Sequence, residues 1–145
     1  MNQLMESRTR TGPSLEQLLV ADAMHPGVVT CTPETPLRDV AWMMGVYRIH
    51  AVVVYGEPGE EGPELWGVVS DLDLVEAAAA GDFEETTAAR IAGTPLLMAE
   101  PTDTLTRAAQ IMSENEVAHL IVLDRPSGRP IGVVSTLDIA RRLGS

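Results

Sequence analysis

Two serine–aspartate pairs are the residues whose types and spacing best suit chemistry. Ser70 and Asp73 lie in Gly67-Val68-Val69-Ser70-Asp71-Leu72-Asp73, and Ser135 and Asp138 lie in Gly132-Val133-Val134-Ser135-Thr136-Leu137-Asp138. The valines after each glycine suit a buried strand end, and Ser-x-x-Asp suits the start of a helix. Within a capping box the serine hydroxyl and the aspartate carboxylate satisfy the first free N–H groups, and no ligand is needed. The same hydroxyl and carboxylate are free to contact a ligand instead. Spacing leaves both roles open.

The other reactive side chains are sparse. His50 and His119 stand at strand edges beside apolar runs, where a histidine either packs or turns towards a ligand. His25, before Pro26, reads as a turn residue. Cys31 reads as a small buried hydrophobe, since no His or Lys adjoins it in sequence. As the single cysteine it also excludes an intrachain disulfide and a multi-cysteine zinc site. The acidic stretch 57–64 has carboxylates separated by glycine and proline, which suits a solvated loop better than a cation site. There is no phosphate-cradling glycine loop, no nucleophile with a base at a recognisable spacing and no metal-ligand cluster. The expectation is a protein that is not an enzyme.

The elements that position these residues are duplicated. The two seven-residue stretches differ at one position and stand 65 residues apart, from 67 to 132. Upstream, Pro33-Glu34-Thr35-Pro36-Leu37 faces Pro101-Thr102-Asp103-Thr104-Leu105 at a spacing of 68, as do Ala41 and Ala109, and Met44 and Met112. The change in spacing falls at a turn, where insertions are tolerated. In the first copy a helix is predicted over 14–24, a strand over 28–31 and a second helix from Thr35-Pro36 to about Gly45. A hairpin of strands 51–55 and 65–69 follows, then a helix from Ser70 that Gly81 stops. Residues 82–87 read as a polar linker. The second copy predicts a short helix at 88–92, strands at 96–99, 119–123 and 131–134, and helices after Thr104 and Ser135.

Composition bounds the function. The chain has 145 residues, 45% of them apolar and only 3% aromatic, so its core is built from aliphatic side chains. Formal net charge is -11 and every basic side chain is arginine. Such a surface repels nucleic acid and anionic lipid, yet leaves room for a local pocket that holds a small anion. No run approaches 18 apolar residues, and the polar first 13 residues do not resemble a secretory leader. A cytoplasmic protein with no nucleic-acid or membrane partner is expected.

The order of elements, the paired Gly-x-x-Ser-x-x-Asp ends and the Thr-(Pro/Leu)-x-x-x-Ala helix starts resemble the cystathionine-β-synthase (CBS) domain family. The resemblance implies an α+β fold: a tandem pair of β-α-β-β-α repeats with pseudo-two-fold symmetry, its three-stranded sheets flanked by helices. It sets a flexible arm at 1–13, a first repeat at 14–81, a linker at 82–87 and a second repeat at 88–145, the two repeats forming one Bateman module. It also implies two clefts holding an adenosine-containing molecule such as AMP, ADP, ATP or S-adenosylmethionine, with no obligatory cofactor. Asp73 and Asp138 match the family position that accepts from ribose hydroxyls. Ser70, Ser135, His50 and His119 match or adjoin phosphate-contacting positions, with Ala118 rather than His119 opposite His50. Val28, Thr30 and Leu96 fall where the base is held. One departure concerns a proline that many members carry inside the second strand, which keeps backbone groups free near the base; here Val53 and Ile121 stand there. The resemblance further implies a homodimer that signals to a separate protein partner. The alternative is a ligand-free dimerisation module.

Overall fold

The computed structural model describes residues 14–56, 65–92 and 97–144. The expected arm at 1–13, the acidic loop 57–64 and Leu96 lie outside the described residues. Among those described, the first half contributes α1 (Val20–Ala23), β1 (His25–Pro26), β2 (Thr30–Cys31), α2 (Leu37–Tyr47), β3 (Ala51–Tyr55), β4 (Leu65–Ser70) and α3 (Asp71–Ala80). The second contributes α4 (Ala88–Ile91), β5 (Met98–Ala99), α5 (Leu105–Asn115), β6 (His119–Asp124), β7 (Arg129–Ser135) and α6 (Thr136–Leu143). The result is the expected α+β arrangement, with two small mixed sheets.

Each sheet is built from the same sequence logic. The uninterrupted apolar runs become central strands, and Val52, Val53, Val54 of β3 and Leu120, Ile121, Val122 of β6 are fully buried. β2 joins β3 in parallel, and β4 joins it antiparallel. β5, β6 and β7 repeat this pattern. Both hairpins slip register at the same place, between Val54 and Tyr55 and between Val122 and Leu123. The extra residue sharpens the strand's twist and bend, and in β7 it sits beside Pro130, which a regular ladder would not accept. Helices α2 and α5 bury matching stripes, Leu37, Val40, Met44 and Leu105, Ala108, Met112.

The halves exchange their leading segments. Val20 of α1 is fully buried in the second half's core, beside Leu105, Leu120 and Val134, whereas Ala88 of α4 is buried in the first half's core beside Leu37 and Val52. Backbone bonds mirror the exchange. Leu105 N donates to Leu18 O (2.9 Å) and Val20 N to Asp103 O (2.7 Å), while Leu37 N donates to Thr86 O (3.2 Å) and Ala88 N to Thr35 O (2.8 Å). A four-residue helix cannot bury an apolar face alone, so each takes shelter on the opposite half. β1 goes with α1, adding a fourth strand to the second sheet beside β7.

Several local expectations change. The helix foreseen over 14–24 is a turn at Ser14, whose N–H donates to Gln17 Oε1 (3.0 Å), followed by only the short α1. The strand foreseen over 28–31 begins at Thr30. Thr35 does not cap α2; its Oγ1 accepts from Thr32 N–H (3.1 Å), leaving Pro36 at the cap. Gly45 does not stop α2, which runs on to Tyr47 and ends where Arg48 turns left-handed at φ 53°. Residues 82–87 contain a 3₁₀ turn, Phe83–Glu85, whose Phe83 packs on the first core. Thr86, foreseen in a polar linker, is buried and donates to the Asp82 carbonyl.

Candidate ligand-binding clefts

Each Ser–Asp pair sits where a sheet strand passes into a helix, and both capping boxes are formed. Ser70 Oγ accepts from Asp73 N–H (3.2 Å), and Asp73 Oδ2 accepts from Ser70 N–H (2.8 Å). Ser135 and Asp138 repeat the pair at the same two distances. The strand-to-helix corner is held from the other side as well, because Asp71 N donates to His50 O (3.0 Å) and Thr136 N to Ala118 O (2.9 Å). Capping consumes one lone pair of one carboxylate oxygen and leaves each serine O–H free to donate. The cap role is therefore established, and it leaves ligand chemistry available on the same groups.

Beyond the caps the two sites differ. Asp73 is half-buried, and among the described residues only the Ser70 N–H donates to its carboxylate. Asp138 is 6% exposed, and its Oδ1 lies 3.0 Å from His25 Nε2. His25 is thus not a turn residue. It is part of β1, opposite Val133, with Pro26 opposite Gly132. Sequence reasoning missed it because the partner carboxylate lies in the other half of the chain, and nothing local to His25-Pro26 signals that pairing.

The remaining candidates gather at the junction of the halves, where β4 and β6 approach. His50 is exposed, just before β3, with Nδ1 3.4 Å from Asp71 Oδ2. His119 is half-buried at the start of β6. Burial pushes its pKa below the usual histidine value, the carboxylates of Asp71, Asp138 and Asp73 oppose that shift, and His50 adds to it. The junction thus collects three carboxylates and two imidazoles. Arg129 lies at the far end of β7 from Ser135, too distant to join them. Cys31 is buried as expected, and that burial raises its thiol pKa, with Thr35 partly offsetting it.

At the positions foreseen for the base, Val28 is half-buried and Thr30 is exposed in β2, paired with Val53. The departure from proline has a visible consequence. Val53 N–H donates to Val29 O (2.9 Å), and Ile121 N–H donates to Leu97 O (3.4 Å). Proline at either position has no N–H and would leave that carbonyl free. No group of three or more His, Cys, Asp or Glu suited to a metal ion occurs among the described residues. Nor is any described helix long and apolar enough to cross a membrane.

The chain and its fold resemble known proteins. The chain is 26% identical over 122 residues to the CBS domain-containing protein YhcV of Bacillus subtilis (strain 168), covering 83% of this chain and 82% of that one. The CBS domain pair of protein MJ0100, solved in complex with 5′-methylthioadenosine and S-adenosyl-L-methionine, superposes with a TM-score of 0.75 at 22% identity, covering 87% of this chain and 95% of that one. The CBS domain of a bacterial CNNM/CorC family Mg2+ transporter superposes with a TM-score of 0.73 at 24% identity, covering 90% and 78%. At those identities the superpositions speak to fold alone. The CBS domain model itself matches residues 20–80 and again 88–145, the two halves that the structure interlocks, and the chain belongs to the CBS domain family as a tandem pair.

Proposed function

We propose that this CBS pair is a regulatory module that binds an adenosine-containing small molecule between its repeats and passes its occupancy to a partner protein. The observation that carries the reading is the pair of capping-box aspartates. Asp73 in particular keeps acceptor capacity after capping its helix, and a carboxylate suits a vicinal ribose diol because it accepts from both hydroxyls. Ser70 and Ser135, with His50 and His119 nearby, are the groups for a phosphate or other 5′ substituent. The 5′-methylthioadenosine and S-adenosyl-L-methionine in the MJ0100 pair support the ligand class. With Asp71, Asp73 and Asp138 at the junction, a ligand of little negative charge, such as S-adenosylmethionine, is favoured over ATP. Its role is binding rather than catalysis, in the cytoplasm.

Isothermal titration with S-adenosylmethionine, AMP, ADP and ATP tests this. Binding of at least one, strongest for the least anionic, is expected; no heat from any of the four with folded protein removes the proposal. A second reading, a ligand-free dimerisation module, is favoured by the occupied carbonyls of Val29 and Leu97. Under either reading the chain pairs with a second copy. Trp42 and Val46 on α2 and Leu72 and Val75 on α3 are exposed apolar side chains at helical spacing. Trp42→Glu is expected to shift the sedimentation coefficient towards that of the monomer.

A further inference from the structure

The two Ser–Asp corners share a local fold, yet what lies against them differs. His25 precedes the first half's β2 by the same interval that Gly93 precedes the second half's β5, since 68 residues separate each of the pairs 25 and 93, and 30 and 98. Because the leading segments are exchanged, His25 falls on the second half's Asp138. Its counterpart by sequence, Gly93, lacks a side chain and lies outside the described residues.

Resting on the nucleoside-binding reading, we infer that His25 closes the Asp138 cleft and that the chain takes one nucleoside ligand, at Asp73. Two independent observations agree. His25 Nε2 lies 3.0 Å from Asp138 Oδ1 while Ser135 N–H donates to Oδ2, so each carboxylate oxygen already faces a nitrogen. Asp138 is also 6% exposed, against a half-buried Asp73 whose carboxylate receives only the cap N–H among the described residues. A vicinal diol must bring two donors to one carboxylate, and at the buried Asp138 the adjacent imidazole stands in its way.

The closing segment is anchored to β7 and to α6. β1 pairs with β7, Gly27 N donates to Ile131 O (2.8 Å), and the Arg142 guanidinium donates to the Asp22 carbonyl. His25 itself remains largely exposed, with its side chain at 71%, so its removal takes little from the core. It is a specificity-determining residue. It selects which of two similar clefts is open.

The test is binding stoichiometry with S-adenosylmethionine and AMP as probes, on wild type, His25→Ala, Asp73→Asn, Asp138→Asn and the double variant His25→Ala/Asp138→Asn. Asparagine keeps an oxygen for the cap N–H, so the helices persist. Wild type and Asp138→Asn should bind one ligand per chain, Asp73→Asn at least tenfold more weakly than wild type, and His25→Ala two, with the second lost in the double variant. Two equal sites in wild type, binding that follows Asp138 rather than Asp73, or a single site in His25→Ala would overturn the inference while leaving a nucleoside-binding module. Absence of binding to wild type and to His25→Ala alike overturns the nucleoside reading, and the inference with it.

Discussion

Ser70 and Ser135 each cap a helix. Removing either hydroxyl frees an N–H at the helix start, and Ser70→Ala or Ser135→Ala should lower unfolding free energy by about 1 kcal/mol in urea titrations without ligand. His119 supplies a pH dependence. Burial depresses its folded pKa below the unfolded value of 6.5, so as pH falls through that value the unfolded chain takes up a proton that the folded chain refuses. The contribution to stability is therefore full above about pH 7 and is lost as pH falls below the unfolded value. The urea midpoint should fall more between pH 7 and 5.5 in wild type than in His119→Gln. At this scale the sequence revealed both capping boxes and the buried Cys31, because those depend on near neighbours. It concealed His25 on Asp138 and the pairing of Val53 N–H with Val29 O, since each depends on which strand lies alongside.

Among the elements, the hairpins and the helices that follow them were legible to within a few residues. Apolar runs, stop signals and the duplicated motif all pointed the same way. The leading segments were not, because a four-residue helix carries too few apolar positions to announce its partner. The docking of β1 depends on backbone proximity at Gly132. A Cβ there would sit 2.6 Å from the His25 carbonyl oxygen and 3.0 Å from Met24 Sδ. Gly132→Ala should push β1 off β7, destabilise the chain by roughly 1 to 3 kcal/mol and increase amide exchange at Gly27, whose N–H donates to Ile131. Tolerance of alanine with unchanged exchange would mean that β1 rests on the sheet more loosely than the register indicates.

Each core borrows from the other half, so the whole molecule is expected to unfold as one cooperative unit. Leu120 is fully buried in the second core, whereas both tryptophans, Trp42 and Trp66, lie in the first half. Leu120→Ala should cost about 2 to 5 kcal/mol and lower the tryptophan-reported midpoint as much as the far-UV midpoint. Two separated transitions would mean that the halves fold independently. The same interlocking places Asp73 and Asp138 at the junction of the repeats, where a bound ligand can favour one packing of the halves over another. The most direct measurement is titration of wild type and Asp73→Asn with S-adenosylmethionine, beside their ligand-free urea unfolding. The account predicts nearly equal unfolding midpoints and an affinity weakened by roughly ten- to a hundredfold or more, the value of a hydrogen bond to a charged group. Equal affinity in the two proteins would reduce Asp73 to a helix cap and contradict the account.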